Sequence, residues 1–110
     1  MNFPIYRPRR LRRNERLREL IRETSLEPRN FIYPLFVGPG RAKAQPISSM
    51  PGIAQLSVDR VVGECAEVRS LGIPAVILFG IPEGKDALGS EAYAERGVVQ
   101  LAIETIKEKF

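Results

Sequence analysis

The sequence predicts an α/β fold made of successive βα units, the opening part of a larger parallel sheet. Three observations carry this. "FIYPLFV" (31–37) and "AVILF" (75–79) are runs rich in aromatic and branched side chains, the composition of strands. Each is followed by a segment whose apolar residues recur at three- and four-residue steps, the period of a helix. "AVILF" also has no polar alternation, which marks a strand covered on both faces, as parallel strands between helix layers are.

The elements follow in order. "MNFPIYRPRRLRR" contains Pro4 and Pro8 and little that fills a core, so its first half is expected to be extended. From residue 12 to 24 the pattern turns helical. Leu17, Leu20 and Ile21 make a narrow apolar stripe, with Glu15 and Glu19 spaced to pair with arginines three or four residues away. So short a helix is marginal alone in water and is expected to lean on another surface. "SLEPRN" breaks it, and the first strand follows. Pro34 removes a ladder donor from mid-strand, which predicts an edge position or a bulge. Residues 38–53, "GPGRAKAQPISSMPGI", are predicted as one long loop.

Ser57 stands where an N-cap is expected, with Asp59 in the first helical turn. Val58, Val61, Val62, Cys65, Val68 and Leu71 share one face, and Gly72 sits at the left-handed cap position. The second strand comes next, then the loop "GIPEGKDALGSEAY". A last helix is predicted from about 95 to 109, with Val98, Val99, Ala102, Ile103 and Ile106 inward. Two such strands cannot close a barrel and leave two apolar parallel edges open, so the chain is expected to be the start of something larger.

Composition narrows the function. At 110 residues the chain has the size of one small domain. No apolar run approaches the roughly 20 residues that cross a bilayer, and no apolar segment follows the N-terminal arginines as a secretory signal requires. The single Cys65 excludes an internal disulfide and suits a reducing, cytoplasmic setting. With no His and one Cys, no soft-ligand metal centre can be built from these residues. The charge is lopsided: residues 1–22 hold eight Arg against Glu15 and Glu19, while the remainder holds nine basic and eleven acidic groups. A basic arm precedes a slightly acidic body.

"YRPRRLRRNERLRELIRET", "FIYPLFV", "ISSMPGI", "LGIPAVILFGIP" and "KDALGSEAY", in this order and spacing, resemble the amino-terminal third of the porphobilinogen synthases, or delta-aminolevulinic acid dehydratases. The resemblance implies a (β/α)8 TIM barrel, with residues 1–30 as an extended and helical arm that wraps a neighbouring subunit, usually in a homo-octamer. Residues 31–110 would be the first two βα units. It implies condensation of two 5-aminolevulinate molecules to porphobilinogen in tetrapyrrole (haem) biosynthesis. In the family two lysines of later strands form Schiff bases with the substrates, and zinc or magnesium serves the second substrate site with ligands that begin on the third strand. None of these lies in this segment, which is therefore expected to hold no catalytic residue, to bind no metal and to be inactive alone.

One residue carries over. Phe79 matches the family phenylalanine that lines the substrate pocket, at the carboxyl end of a strand, where barrel active sites lie. Such an apolar wall would dry the Schiff-base lysines and lower their pKa. The competing reading is that Phe79 only fills the end of its strand. Lys85, beside Asp86 in a polar loop, matches neither Schiff-base position and is expected to be a solvated charge. Tyr33 and Tyr93 are expected in packing or interfaces, and Cys65 to act as a small hydrophobe.

The arginine cluster "RPRRLRR" also fits a nucleic-acid-binding tail. Against that, no aromatic platform interleaves the arginines and the body behind them is acidic. Arg9, Arg10, Arg12 and Arg13 are instead expected to pair with carboxylates of an adjacent subunit. The expected partners are thus 5-aminolevulinate and further copies of the chain, with no nucleic acid and no membrane. A nucleic-acid-binding module and a different TIM-barrel enzyme are the alternatives, since a scaffold does not dictate its chemistry.

Overall fold

A computed structural model describes residues 5–7 and 9–110. The extended start expected around Pro4 and Pro8 lies outside the described residues. A 3-10 turn at Arg10–Arg12 leads to helix α1 (Glu15–Leu20), capped by the Asn14 side chain, which accepts from the Leu17 N–H at 2.9 Å. The helix is shorter than the periodicity suggested. Its stripe is bare: no α1 residue is buried and Leu20 is 80% exposed. Glu15 and Glu19 form no ion pair with a described residue, whereas Arg29 pairs with Glu27 at 2.6 Å.

The body is a four-stranded sheet in the order β2-β3-β1-β4, comprising β1 (Ile32–Gly38), β2 (Ala44–Pro46), β3 (Ala54–Ser57) and β4 (Ala75–Gly80). Two helices, α2 (Val58–Ser70) and α3 (Val98–Lys109), follow β3 and β4. Strands β1 and β4 run parallel and in register from Ile32↔Ala75 to Val37↔Gly80, as expected of neighbouring βα units.

The predicted long loop is instead a β-hairpin. Strand β2 pairs antiparallel with β3, and β3 lies parallel to β1 over Phe36↔Gln55, Val37↔Leu56 and Gly38↔Ser57. This corrects the expectation of two open parallel edges: β4 is an edge, but the upper flank of β1 is occupied. It also explains Pro34, which lies neither on an edge strand nor in a bulge. Ile81 N–H donates to the Val37 carbonyl at 2.7 Å, so odd-numbered β1 residues bond towards β4. Pro34 therefore faces the other flank, below Phe36, where β3 has not begun, and its missing N–H costs no ladder bond.

One face of the sheet is packed. Leu35 and Val37 meet Val61 and Cys65 of α2 and Ala102 of α3, with Tyr33, Leu56, Val76 and Leu78 around them. Val37 and Val61 are fully buried, each worth about 1.5–3 kcal/mol of transfer free energy. Cys65 lies in this cluster, and burial raises its thiol pKa, as suits a small hydrophobe. Leu71 and Ile103, expected inside, are 60% and 42% exposed, and α3 begins at Val98 after a 3-10 turn at Ser90–Tyr93.

The opposite face is bare. Ala75, Ile77 and Phe79 on β4, with Ile32 and Pro34 on β1, are exposed, so the doubly covered strand predicted from "AVILF" is covered here on one side only. The chain exposes 9286 Å², against about 6100 Å² for a compact monomer of this mass. Its dimensions of 62 × 34 × 27 Å show the same departure from a compact shape. Among the described residues, no helix is long and apolar enough to cross a membrane.

Candidate functional site

Parallel strands present their ligands beyond their carboxyl ends, so the ends of β1 and β4 are where a site belongs. Phe79 is the penultimate residue of β4. Its side chain lies on the bare face, 47% exposed, and stacks on Phe36 with ring centroids 5.5 Å apart and planes at 24°. The structure thus separates Phe79 from Leu78 and Val76, whose side chains pack against the helix-covered core. Strand alternation dictates this: Leu78 and Phe79 must face opposite ways, and the helices cover only Leu78.

Gly80 ends the strand beneath α3. A Cβ there would lie 2.5 Å from Val99 Cγ2 and 3.1 Å from Val98 Cγ1, so only glycine lets the first turn of α3 sit this close. Beyond it, residues 81–97 wrap a recess of about 420 Å³ lined by Gly80, Pro82, Lys85, Asp86, Glu91 and Gln100. The Asp86 carboxylate organises the loop, accepting from the N–H groups of Leu88 (3.1 Å) and Ser90 (3.0 Å) and from the Ser90 hydroxyl. Gln100 of α3 donates to the Ala92 carbonyl at 2.8 Å and ties the loop to the helix. Lys85 is exposed at the rim of this recess. Tyr33 is half-buried against the core, while Tyr93 is 68% exposed.

The β1 end is latched differently. Ser57 occupies the N-cap position of α2 but makes no capping bond. Its hydroxyl instead accepts from the Lys43 N–H at 3.0 Å, and its N–H donates to the Lys43 carbonyl at 3.1 Å. Asp59 accepts from the Ala42 N–H at 3.0 and 3.3 Å, holding Ala42 at φ 50°, a left-handed conformation unusual for alanine. The Ser57 hydroxyl and then the Ala42 N–H hold the Asp59 carboxyl below its ordinary pKa of 3.8.

Among the described residues, no three His, Cys, Asp or Glu side chains gather as a metal site would require. These residues do not fit a metal, and no chemistry of this segment is routed through one. Arg9, Arg10, Arg12 and Arg13 lie on the arm, exposed, and none forms an ion pair with a described residue. The structure does not bring them to Phe79: they belong to an arm that precedes the sheet. The sequence singles out neither Phe36 nor Gln100, and marks Asp86 only as the neighbour of Lys85. Asp86 had a local signal in the Asp-x-x-x-Ser spacing, whereas Phe36 becomes notable only through its register with Phe79.

Comparisons with known proteins agree with this geometry. A family profile described as delta-aminolevulinic acid dehydratase matches residues 5–110. The delta-aminolevulinic acid dehydratase of Synechocystis sp. is 54% identical over 106 residues, 96% of this chain and 32% of the relative. That of Bacillus subtilis is 48% identical over all of this chain and 34% of its own length. Among solved structures, the delta-aminolevulinic acid dehydratase (porphobilinogen synthase) of Toxoplasma gondii ME49, in complex with the reaction product porphobilinogen, superimposes with a TM-score of 0.87 at 39% identity. That match covers 96% of this chain and 30% of the other. This chain spans about a third of the length of these relatives. Its sheet and helices are those of the amino-terminal part of a TIM barrel, and the chain belongs to the delta-aminolevulinic acid dehydratase family.

Proposed function

We propose that this chain forms the first part of a porphobilinogen synthase barrel and takes part, with the remaining strands, in condensing two 5-aminolevulinate molecules to porphobilinogen. In this reading residues 1–30 are the subunit-interface arm and residues 31–110 the first two βα units. The observation that carries it is the close superposition on a chain crystallised with porphobilinogen, over nearly the whole of this one. The bare apolar face supports it, because a barrel needs an inner surface of this kind.

Phe79 contributes an apolar wall near the reacting centre. A half-exposed ring at the carboxyl end of a strand lowers the local dielectric, favours the neutral amine of a Schiff-base lysine and so its attack on a keto group. Those lysines, and the ligands of the zinc or magnesium on which this metal-dependent family relies, are assigned to later strands. Arg9, Arg10, Arg12 and Arg13 are assigned to contacts with a second copy in a homo-oligomer, of octameric size by family resemblance, and the setting is cytoplasmic.

The test is a fusion in which residues 5–110 replace the matching third of the Synechocystis enzyme. Incubated with 5-aminolevulinate, the fusion is expected to form porphobilinogen, measured by colorimetric detection of the pyrrole, and the 110-residue chain alone is expected to form none. A folded, assembled fusion without product would overturn the reading. It would favour another TIM-barrel chemistry for the segment.

A further inference from the structure

Phe36 and Phe79 are direct Cα partners on adjacent parallel strands, so their side chains leave the sheet on the same, uncovered face. One layer below them on that face is the pair Pro34 and Ile77. One layer above Phe36 is Gly38, where an added Cβ would meet nothing within 4 Å. The stacked rings are thus the last side-chain layer of this strand pair before open space at the carboxyl ends.

The two rings are held unequally. The backbone just beyond Phe79 is pinned twice: Gly80 lies under Val98 and Val99, and Ile81 donates to Val37 at 2.7 Å. Its ring projects from the uncovered face and is 47% exposed. Phe36 sits on the inner strand, half-buried, with its ring 5.5 Å from that of Phe79. An exposed aromatic side chain without a neighbour changes rotamer within nanoseconds. An offset stack removes that freedom and is worth about a 2- to 10-fold bias between positions.

We infer that Phe36 is a positioning residue that holds the Phe79 ring as a fixed wall beside the Schiff-base lysine whose amine attacks the substrate keto group. The inference rests on the reading of Phe79 as a pocket wall. Phe36 acts through Phe79: it keeps the ring over the lysine, water is kept from one side of the amine, and the amine loses its proton at lower pH. An aliphatic side chain of similar size fills the space but offers no ring face to stack upon.

The experiment uses the active fusion with Phe36→Leu, Phe36→Tyr, Phe79→Leu and the Phe36→Leu/Phe79→Leu pair, each read as a pH profile of kcat/KM. Phe36→Leu is expected to lower kcat/KM about 3- to 10-fold and to move the acid limb to higher pH, because a wetter lysine keeps its proton longer. Phe79→Leu moves the limb the same way, the pair moves it no further than Phe79→Leu alone, and Phe36→Tyr keeps the parental profile. Phe36→Met is the second ringless variant should the leucine fail to assemble. If ringless variants at Phe36 match the parent while Phe79→Leu shifts the limb, the positioning role is overturned and the wall stands. Parental behaviour of Phe79→Leu would remove the wall itself. Rate losses that add in the pair, without a limb shift from Phe36→Leu, would make Phe36 a packing residue and overturn the inference.

Discussion

Gly80 and Val99 approach so closely that no methyl group fits between them: a Cβ on Gly80 would sit 2.5 Å from Val99 Cγ2. This contact sets α3 against the end of β4 and thereby fixes where the loop over the recess starts. Gly80→Ala is expected to destabilise by about 1–3 kcal/mol, the usual cost of forcing a methyl into a filled contact. Thermal unfolding of the fusion checks it, and Gly80→Ala combined with Val99→Ala should recover much of the loss, because the second change makes room.

Val37 is the centre of the helix-covered face. It is fully buried between β4, β3 and the two helices. Val37→Ala removes two methyl groups from a closed environment and is expected to cost about 2 kcal/mol, measured by denaturant unfolding. In the 110-residue chain, substitution of Ile77, which lies on the face that no helix covers and is 46% exposed, should cost far less.

The same Ile77 should govern association. Ala75, Ile77 and Phe79 form an apolar strip on an edge strand, the combination that recruits other chains. The 110-residue chain alone is expected to self-associate, and Ile77→Lys to reduce this in sedimentation velocity. Equal association of both chains would show that the strip is not the sticking surface.

The Ala42–Asp59 latch is pH-dependent in a defined direction. The Asp59 carboxyl titrates below its ordinary 3.8, so the folded state binds this proton less readily than the unfolded chain. Its contribution is therefore complete above about pH 3.8 and is lost as pH falls through the lower folded value. The protection factor of the Ala42 amide, its exchange rate relative to the intrinsic rate at the same pH, is expected to be high at neutral pH, to fall in acid, and to be low already at neutral pH in Asp59→Asn. An unchanged protection factor in Asp59→Asn would dismiss the latch.

The arm makes a separate prediction. Reversing Arg9, Arg10, Arg12 and Arg13 to glutamate should shift the fusion to smaller assemblies in sedimentation, with the sheet's unfolding midpoint unaltered, because these side chains pair with no described residue of their own chain. An unchanged assembly would remove the arginines from the subunit interface.

Local pattern was enough for the periodic elements and for the family. Helix α2 and the strands β1 and β4 fall where Val61, Cys65 and Val68 repeat and where the branched runs lie, because local pattern alone selects the period. Gly72 adopts φ 82° as its position after α2 foretold. Five motifs in order also identified the barrel family and directed attention to Phe79. The rest arose from pairing between distant segments. The hairpin of β2 and β3 was hidden because three- and four-residue strands carry too little pattern, and they exist by pairing with each other and with β1. Ser57 gave up its capping bond because the folded loop brought Lys43 to its hydroxyl. The tolerance of Pro34 and the stacking of Phe36 on Phe79 both follow from register, a relation between strands that no single stretch of sequence contains.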